Sequence, residues 1–237
     1  MSETFILEQD KQNLRKTERD IMYQTILFDL DGTLTDPGVG ITNSVAYALE
    51  KYGIQTADRT SLYPFIGPPL QDSFETFYHF SSADAKQAVA YYREYYEEKG
   101  IYENLLYHGM EGLLADLSAA GKTLLVATSK PERFAVQILE YFQIQKYFTY
   151  IAGSHMDGRR SRKYEVIAYA LQTAGISDLS GAVMVGDREY DIAGAKQAGI
   201  ASIGVLFGYG SRQELERAGA DHLASDVEEI RRIVCKI

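Results

Sequence analysis

Five short apolar segments, Thr25–Phe28, Thr123–Ala127, Tyr150–Gly153, Ala182–Val185 and Ala201–Leu206, each close on small or polar residues. Between them run stretches of helical periodicity: Glu111–Ala120, Glu132–Phe142, Tyr164–Ala174 and Tyr190–Ala198. Gly121, Gly175 and Gly199 stand where helices stop, and Pro131 stands where one starts, as helix termini favour. Short buried strands alternating with helices specify an α/β fold: a doubly wound, mostly parallel, Rossmann-like sheet covered on both faces.

Between the first two strands lies far more chain than one crossover needs. Ile41–Tyr52, Leu70–His79 and Ala83–Lys99 read as helices there, broken by Pro64, Gly67, Pro68 and Pro69. An insertion directly after the first strand stands over the carboxyl ends of the strands, where open α/β sheets bind ligands. The expected division is a catalytic core of residues 21–37 and 106–237, an all-helical cap of 38–105, and an N-terminal extension of 1–20.

The composition narrows the setting. Of 237 residues, 46% are apolar and 24% charged, ordinary values for a soluble globular chain, and no apolar run reaches membrane-spanning length. The start, Met1-Ser2-Glu3-Thr4, lacks the pattern of a secretory signal. The single cysteine, Cys235, excludes an internal disulfide and fits a reducing compartment, so the cytoplasm is expected. A net charge of −9 disfavours a nucleic-acid polymer as partner. A small anion remains compatible, because a bound cation and a few basic groups reverse the field within one cleft. The expected partner is a small phosphate monoester, with no membrane, in a monomer or homodimer.

The chemistry gathers at strand ends. Asp29 and Asp31 follow the first strand two residues apart and project to one side, while Leu30 points inward and Gly32 permits a turn. Asp187 and Asp191 follow the fourth strand at a spacing that lets both face one cleft if a helix starts between them. Each pair alone also reads as a turn or a helix N-cap. If the first and fourth strands are neighbours, the four carboxylates converge and demand compensation, and a hard dication such as Mg²⁺ supplies it. Thr128, after the second strand, reads as a hydroxyl at a helix start, which is either an ordinary cap or an anion site. Lys163, beside Arg159, Arg160 and Arg162, is either a solvated lysine or the cation that binds phosphoryl oxygens.

Phe28-Asp-Leu-Asp-Gly-Thr-Leu-Thr35, Thr128, Lys163 and Gly186-Asp187…Asp191 resemble, in order and context, the four motifs of the haloacid dehalogenase-like hydrolases. The resemblance spans about residues 23–237. Gly153–Gly158 and Gly204–Gly210 are similar to the branch of 5′-nucleotidases and phosphoglycolate phosphatase-like proteins. The resemblance implies a Mg²⁺-dependent phosphatase with Asp29 as nucleophile and Asp31 as general acid and base. It further implies Thr128 and Lys163 on the phosphoryl oxygens. The metal would be held by Asp29, the Asp31 backbone carbonyl and Asp187, with Asp191 on metal-bound water. An acidic residue at the position of Asp31 disfavours a dehalogenase. Phosphoglycolate phosphatases often carry Lys-Pro-x-Pro at the lysine motif. Here it reads Lys163-Tyr-Glu-Val166, which favours a nucleoside monophosphate or broad small-phosphate activity.

Other readings compete. A phosphoglycolate phosphatase and a phosphotransferase or mutase share the fold. A dinucleotide oxidoreductase would use Gly38-Val-Gly-Ile-Thr-Asn43, but that stretch begins well past the strand end and lacks the last glycine. A receiver-type signalling module carries no lid and places its phosphorylated aspartate after the third strand. His79, His108, His155 and His222 show no metal-ligand spacing. His155 reads as structural or as part of a substrate loop, Asp221-His222 as a strand-edge feature, and Cys235 as no nucleophile.

Overall fold

The computed structural model describes residues 23–235, so the expected extension of residues 1–20 lies outside the described residues. Strand β1 (Thr25–Phe28) is buried throughout because parallel strands flank it on both sides: β4 (Thr123–Pro131) and β6 (Ala182–Gly186). With β5 (Tyr150–Ser154), β7 (Ala201–Val205) and β8 (His222–Ala224) the sheet runs β5-β4-β1-β6-β7-β8. All its pairings are parallel.

Period-two alternation divides the strand side chains between two layers. Ile26, Phe28, Val126, Val183 and Val185 enter one cluster, while Leu27, Leu125, Ala127 and Met184 enter the other. Helices α4 (Met110–Ala119), α5 (Glu132–Tyr141) and α9 (Val227–Cys235) cover the first layer through Leu113, Phe134 and Ile230. Helix α6 (Lys163–Thr173) covers the second through Val166, Ile167 and Ala170, beside α7 (Glu189–Ala198). Each large aliphatic side chain sealed in this way contributes about 1.5–3 kcal/mol of burial. The short α8 (Arg212–Ala218) precedes β8.

The edge strand β8 went unread as a strand because it is three residues long and only Ala224 is buried. His222 does lie on that edge, its ring nitrogen 3.1 Å from the Tyr23 hydroxyl. No helix among the described residues is long and apolar enough to cross a membrane.

The helical insertion leaves and rejoins the sheet through β2 (Thr35–Asp36) and β3 (Leu105–Leu106), which pair antiparallel with Thr35 opposite Leu106. It contains α1 (Gly38–Glu50), α2 (Leu70–Tyr78) and α3 (Ser82–Tyr95), and α3 widens into one π turn, Tyr96–Gly100. Gly40 lets α1 sit directly on that turn, since a Cβ there would strike the Gly100 carbonyl. Its aromatics pack on one another: Phe74 and Phe80 stack at 5.8 Å, and Tyr92 and Tyr96 at 5.2 Å.

From β1 the sheet grows outward through β4 and β5, and on the other side through β6, β7 and β8. The order therefore reverses between β1 and β6, and ligands bind at such a switch point.

Candidate active site

Asp29, the first residue past β1, donates its N–H to the Val185 carbonyl of β6 at 2.9 Å. Its position is thus set by the strand across the switch point. Leu30 is sealed in the core, and Gly32, at φ 81°, turns the chain back. The N–H groups of Leu34 and Thr35 both donate to the Leu30 carbonyl, at 2.9 and 3.0 Å, which fixes the loop carrying Asp31.

Asp187 follows the last residue of β6 directly. Asp191 lies in the first turn of α7, where its Oδ2 accepts the Arg188 N–H at 3.0 Å. An anion in a first turn meets the positive end of the helix dipole. One oxygen each from Asp29, Asp187 and Asp191 lies within 4.8 Å of the others, and all three residues are buried.

Lys163 opens α6 and reaches into the same group. Its Nζ lies 2.8 Å from Asp29 Oδ1 and 2.7 Å from Asp191 Oδ1, and donates to the Ala127 carbonyl at 3.2 Å. Burial alone disfavours the ammonium, but the Asp191 and Asp29 carboxylates more than offset it and raise its pKa. One cation is not enough for three carboxylates. Burial first, then Asp191 and Asp29, hold the Asp187 carboxyl well above the ordinary carboxylate range. Burial raises Asp191 to about 6, with Lys163 opposing and Asp29 reinforcing the shift.

The donor set fits a hard dication. Three carboxylates converge, and Asp187 Oδ1 is buried without a hydrogen-bond partner. Asp187 Oδ2 accepts the Tyr209 N–H at 2.7 Å. A Cβ on Gly32 or Gly208 would collide with the Asp187 side chain, so both glycines are needed to bring the loops this close.

Asp31 stands apart from that cluster. Its Oδ2 lies 2.7 Å from Lys130 Nζ, and its Oδ1 is buried without a partner. Burial raises its pKa, with Lys130 opposing. Of the expected site carboxylates it alone lines a cavity of about 400 Å³, between Ser129 and Lys130 of the core and Tyr92, Arg93 and Tyr96 of the insertion.

Thr128 differs from expectation. It lies within β4, not at a helix start, because the strand runs on to Pro131 with a register shift against β5 and α5 begins only at Glu132. Its buried Oγ1 accepts the Lys130 N–H at 3.3 Å. Asp29, Lys163, Asp187 and Asp191 are therefore brought together, with Asp31 and Thr128 carried on the loop and strand end beside them.

A family model for haloacid dehalogenase-like hydrolases matches residues 26–205. The chain belongs to that family.

Among relatives of this haloacid dehalogenase-like hydrolase, a 5′-nucleotidase of Pseudomonas aeruginosa is 44% identical over 90% of the chain and 96% of its own length. The tyrosine-protein kinase PtkA of Mycobacterium tuberculosis is 38% identical over 88% of the chain and 71% of its own length. The crystal structure of a predicted phosphatase from Clostridium acetobutylicum superposes with a TM-score of 0.88 at 47% identity, covering 91% of this chain and all of that one.

Three residues of this hydrolase's site escaped the sequence reading. Lys130 follows a Thr-Ser pair in a segment that looked like a helix cap, and nothing marked it as buried. Tyr209 acts through its backbone, and the glycines on either side of it, Gly208 and Gly210, were the visible signal. Arg188 donates Nε to Glu214 at 2.8 Å and Nη1 to the Ile66 carbonyl of the insertion at 2.7 Å. No local pattern announces a contact between residues so distant in sequence. His155, left open between a structural and a loop role, stands in the cavity wall.

Proposed function

We propose that this haloacid dehalogenase-like phosphatase hydrolyses a small phosphate monoester, with a 5′-nucleotide ahead of phosphoglycolate, through a phosphoaspartate on Asp29. Residues 38–105 act as the cap over the cleft. One observation carries the reading: the Lys163 ammonium pairs with Asp29 and Asp191 beside Asp187, while Asp31 alone of the site carboxylates lines the cavity.

Asp29 attacks phosphorus, and the bond from phosphorus to the ester oxygen breaks. The leaving oxygen keeps the electron pair and takes a proton from Asp31, whose burial favours the protonated form. Asp31 then accepts a proton from the water that attacks the phosphoaspartate, which releases inorganic phosphate and restores Asp29. Lys163 and Thr128 bind the phosphoryl oxygens. Mg²⁺, held by Asp29, Asp187 and the Asp31 carbonyl with Asp191 beside it, would supply charge neutralisation to the acidic cluster and the phosphate.

Three features support the substrate ranking. The cavity of about 400 Å³ is roomy for a two-carbon acid phosphate, the lysine motif reads Lys163-Tyr-Glu-Val166, and the Pseudomonas relative is a 5′-nucleotidase. The Tyr92 and Tyr96 rings stack on each other, so base recognition draws on the cavity as a whole and not on a free tyrosine platform. A phosphate-release screen with Mg²⁺ over nucleoside monophosphates, sugar phosphates and phosphoglycolate tests the reading. The highest kcat/KM is expected for a nucleoside monophosphate. A lead for phosphoglycolate overturns the substrate ranking, and no release from any overturns hydrolysis.

A second reading, transfer to another acceptor, draws on the mycobacterial kinase relatives. It shares the first half-reaction and differs in what attacks the phosphoaspartate. Loss of substrate without matching phosphate release, when an alcohol or tyrosine peptide is added, is its signature.

A further inference from the structure

Lys130 belongs to none of the recognised motifs, yet it is one of the most enclosed cations in the molecule, with its side chain 6% exposed. Its Nζ lies 2.7 Å from Asp31 Oδ2, donates to the Tyr96 hydroxyl at 2.9 Å, and stands 4.8 Å from the centroid of the same ring. A buried ammonium is costly unless it is paired and hydrogen-bonded, so these contacts define where it can sit.

The two partners come from different parts of the fold. Asp31 is on the loop after β1, and Tyr96 begins the π turn that ends α3 in the insertion. Tyr96 is sealed, its ring stacked on Tyr92 at 5.2 Å and edge-on to Phe134 of α5 at 5.4 Å. A carboxyl group turns readily about its terminal torsion, which has no sharp staggered wells. With Oδ2 held by Lys130, the free Oδ1 is left with one orientation.

We infer that Lys130 is a positioning residue for Asp31. It anchors Oδ2 so that Oδ1 is the oxygen that hands its proton to the leaving group, and its bond to Tyr96 ties that orientation to the docked insertion. The inference rests on Asp31 acting as the general acid. In the first half-reaction, a lysine that instead bound phosphoryl oxygens would serve every ester alike, whereas one that aims an acid serves only esters whose leaving oxygen needs a proton; the second half-reaction is common to all esters.

The test compares p-nitrophenyl phosphate, whose phenolate leaves without protonation, with AMP or, failing turnover of AMP, glycerol 3-phosphate. Lys130→Met is expected to lower kcat/KM, which reports formation of the phosphoaspartate, about 30- to 100-fold for the alkyl ester, while kcat/KM for p-nitrophenyl phosphate loses less than about threefold. Lys130→Arg is expected to recover most of that loss, and Tyr96→Phe to show a smaller loss with the same preference. Asp31→Asn, run alongside, is expected to discriminate between the esters at least as strongly.

Equal losses of kcat/KM on both esters overturn the positioning role. If Asp31→Asn still discriminates, the general-acid reading survives that result. If Asp31→Asn does not discriminate, the general-acid reading falls and this inference falls with it. Should Lys130→Met fail to melt cooperatively, Tyr96→Phe decides: an unchanged ratio of the two kcat/KM values overturns the inference.

Discussion

Lys163 Nζ lies 2.8 Å from Asp29 Oδ1, with both side chains sealed from solvent. The contact joins the first residue of α6 to the first residue beyond β1, and it is the only ion pair Asp29 makes among the described residues. Removing the ammonium leaves three buried carboxylates facing one another. Breaking one partner of a buried pair costs about 3–5 kcal/mol, so Lys163→Met should destabilise the metal-free protein by that order. Urea denaturation of the chelated protein measures the loss, and Mg²⁺ should restore part of it.

Asp29→Asn removes the proposed nucleophile and one charge from a crowded cluster. Turnover of the preferred ester should fall by about a thousandfold or more, while the melting temperature of the metal-free protein stays level or rises. A stopped reaction of the wild type should also yield hydroxylamine-sensitive phosphate on the protein, and the variant none. Retained turnover in a preparation free of contaminating phosphatase would remove Asp29 from its role.

Stability without metal should depend on pH in an unusual direction. Burial raises Asp187 and, to about 6, Asp191, both above their unfolded values near 4. The folded state therefore binds more protons than the unfolded chain over that interval, and its stability falls as pH rises through it. For Asp191 alone the loss is on the order of 3 kcal/mol, complete once pH passes its folded pKa. Chelated protein should melt higher at pH 5.5 than at pH 7.5, and saturating Mg²⁺ should flatten or reverse the trend. A chelated protein more stable at pH 7.5 would show that the cluster carries no such burden.

Chelation and Asp187→Asn attack the same feature from two sides. Excess EDTA should stop turnover, and added Mg²⁺ should restore it. In Asp187→Asn the Mg²⁺ concentration for half-maximal rate should rise by at least about tenfold, since a carboxylate ligand becomes a neutral amide. Full activity in excess EDTA would take the metal out of the mechanism.

Gly208→Ala probes the close approach of the last loop. A Cβ there meets Asp187 and the Gly32 carbonyl, so the loop has to move. Overpacking of this kind costs about 1–3 kcal/mol. It should also shift the Tyr209 N–H from Asp187, so activity should fall more than stability alone explains at temperatures where the variant remains folded. Parallel thermal melts and rate measurements separate the two effects.

Much of this was legible in the chain because the relevant patterns are local. Strand β1 reads as an unbroken apolar run since β4 and β6 bury it on both faces, and Gly199 marks the end of α7 with φ 75°. The Asp29–Asp31 and Asp187–Asp191 spacings sit at strand ends where one turn decides which way a side chain points. Thr128 was misplaced because a hydroxyl before a proline looks the same in an extended strand end as in a helix cap. The register shift against β5 that settles the matter involves Ser154, a residue far along the chain. Strand β8 was missed for want of burial, the signal on which strand recognition rests.

The sequence by itself determined the α/β alternation, the place of the helical insertion and the standing of Asp29, Asp31, Asp187 and Asp191 at strand ends, because each depends on periodicity or spacing over a few residues. Tertiary structure alone decided that Asp31 leaves the acidic cluster to meet Lys130, that Tyr209 supplies its N–H to Asp187, and that Arg188 holds the Ile66 carbonyl. Each of those contacts joins segments far apart in the chain, and their meeting depends on how strands order themselves and helices dock, which no local pattern encodes.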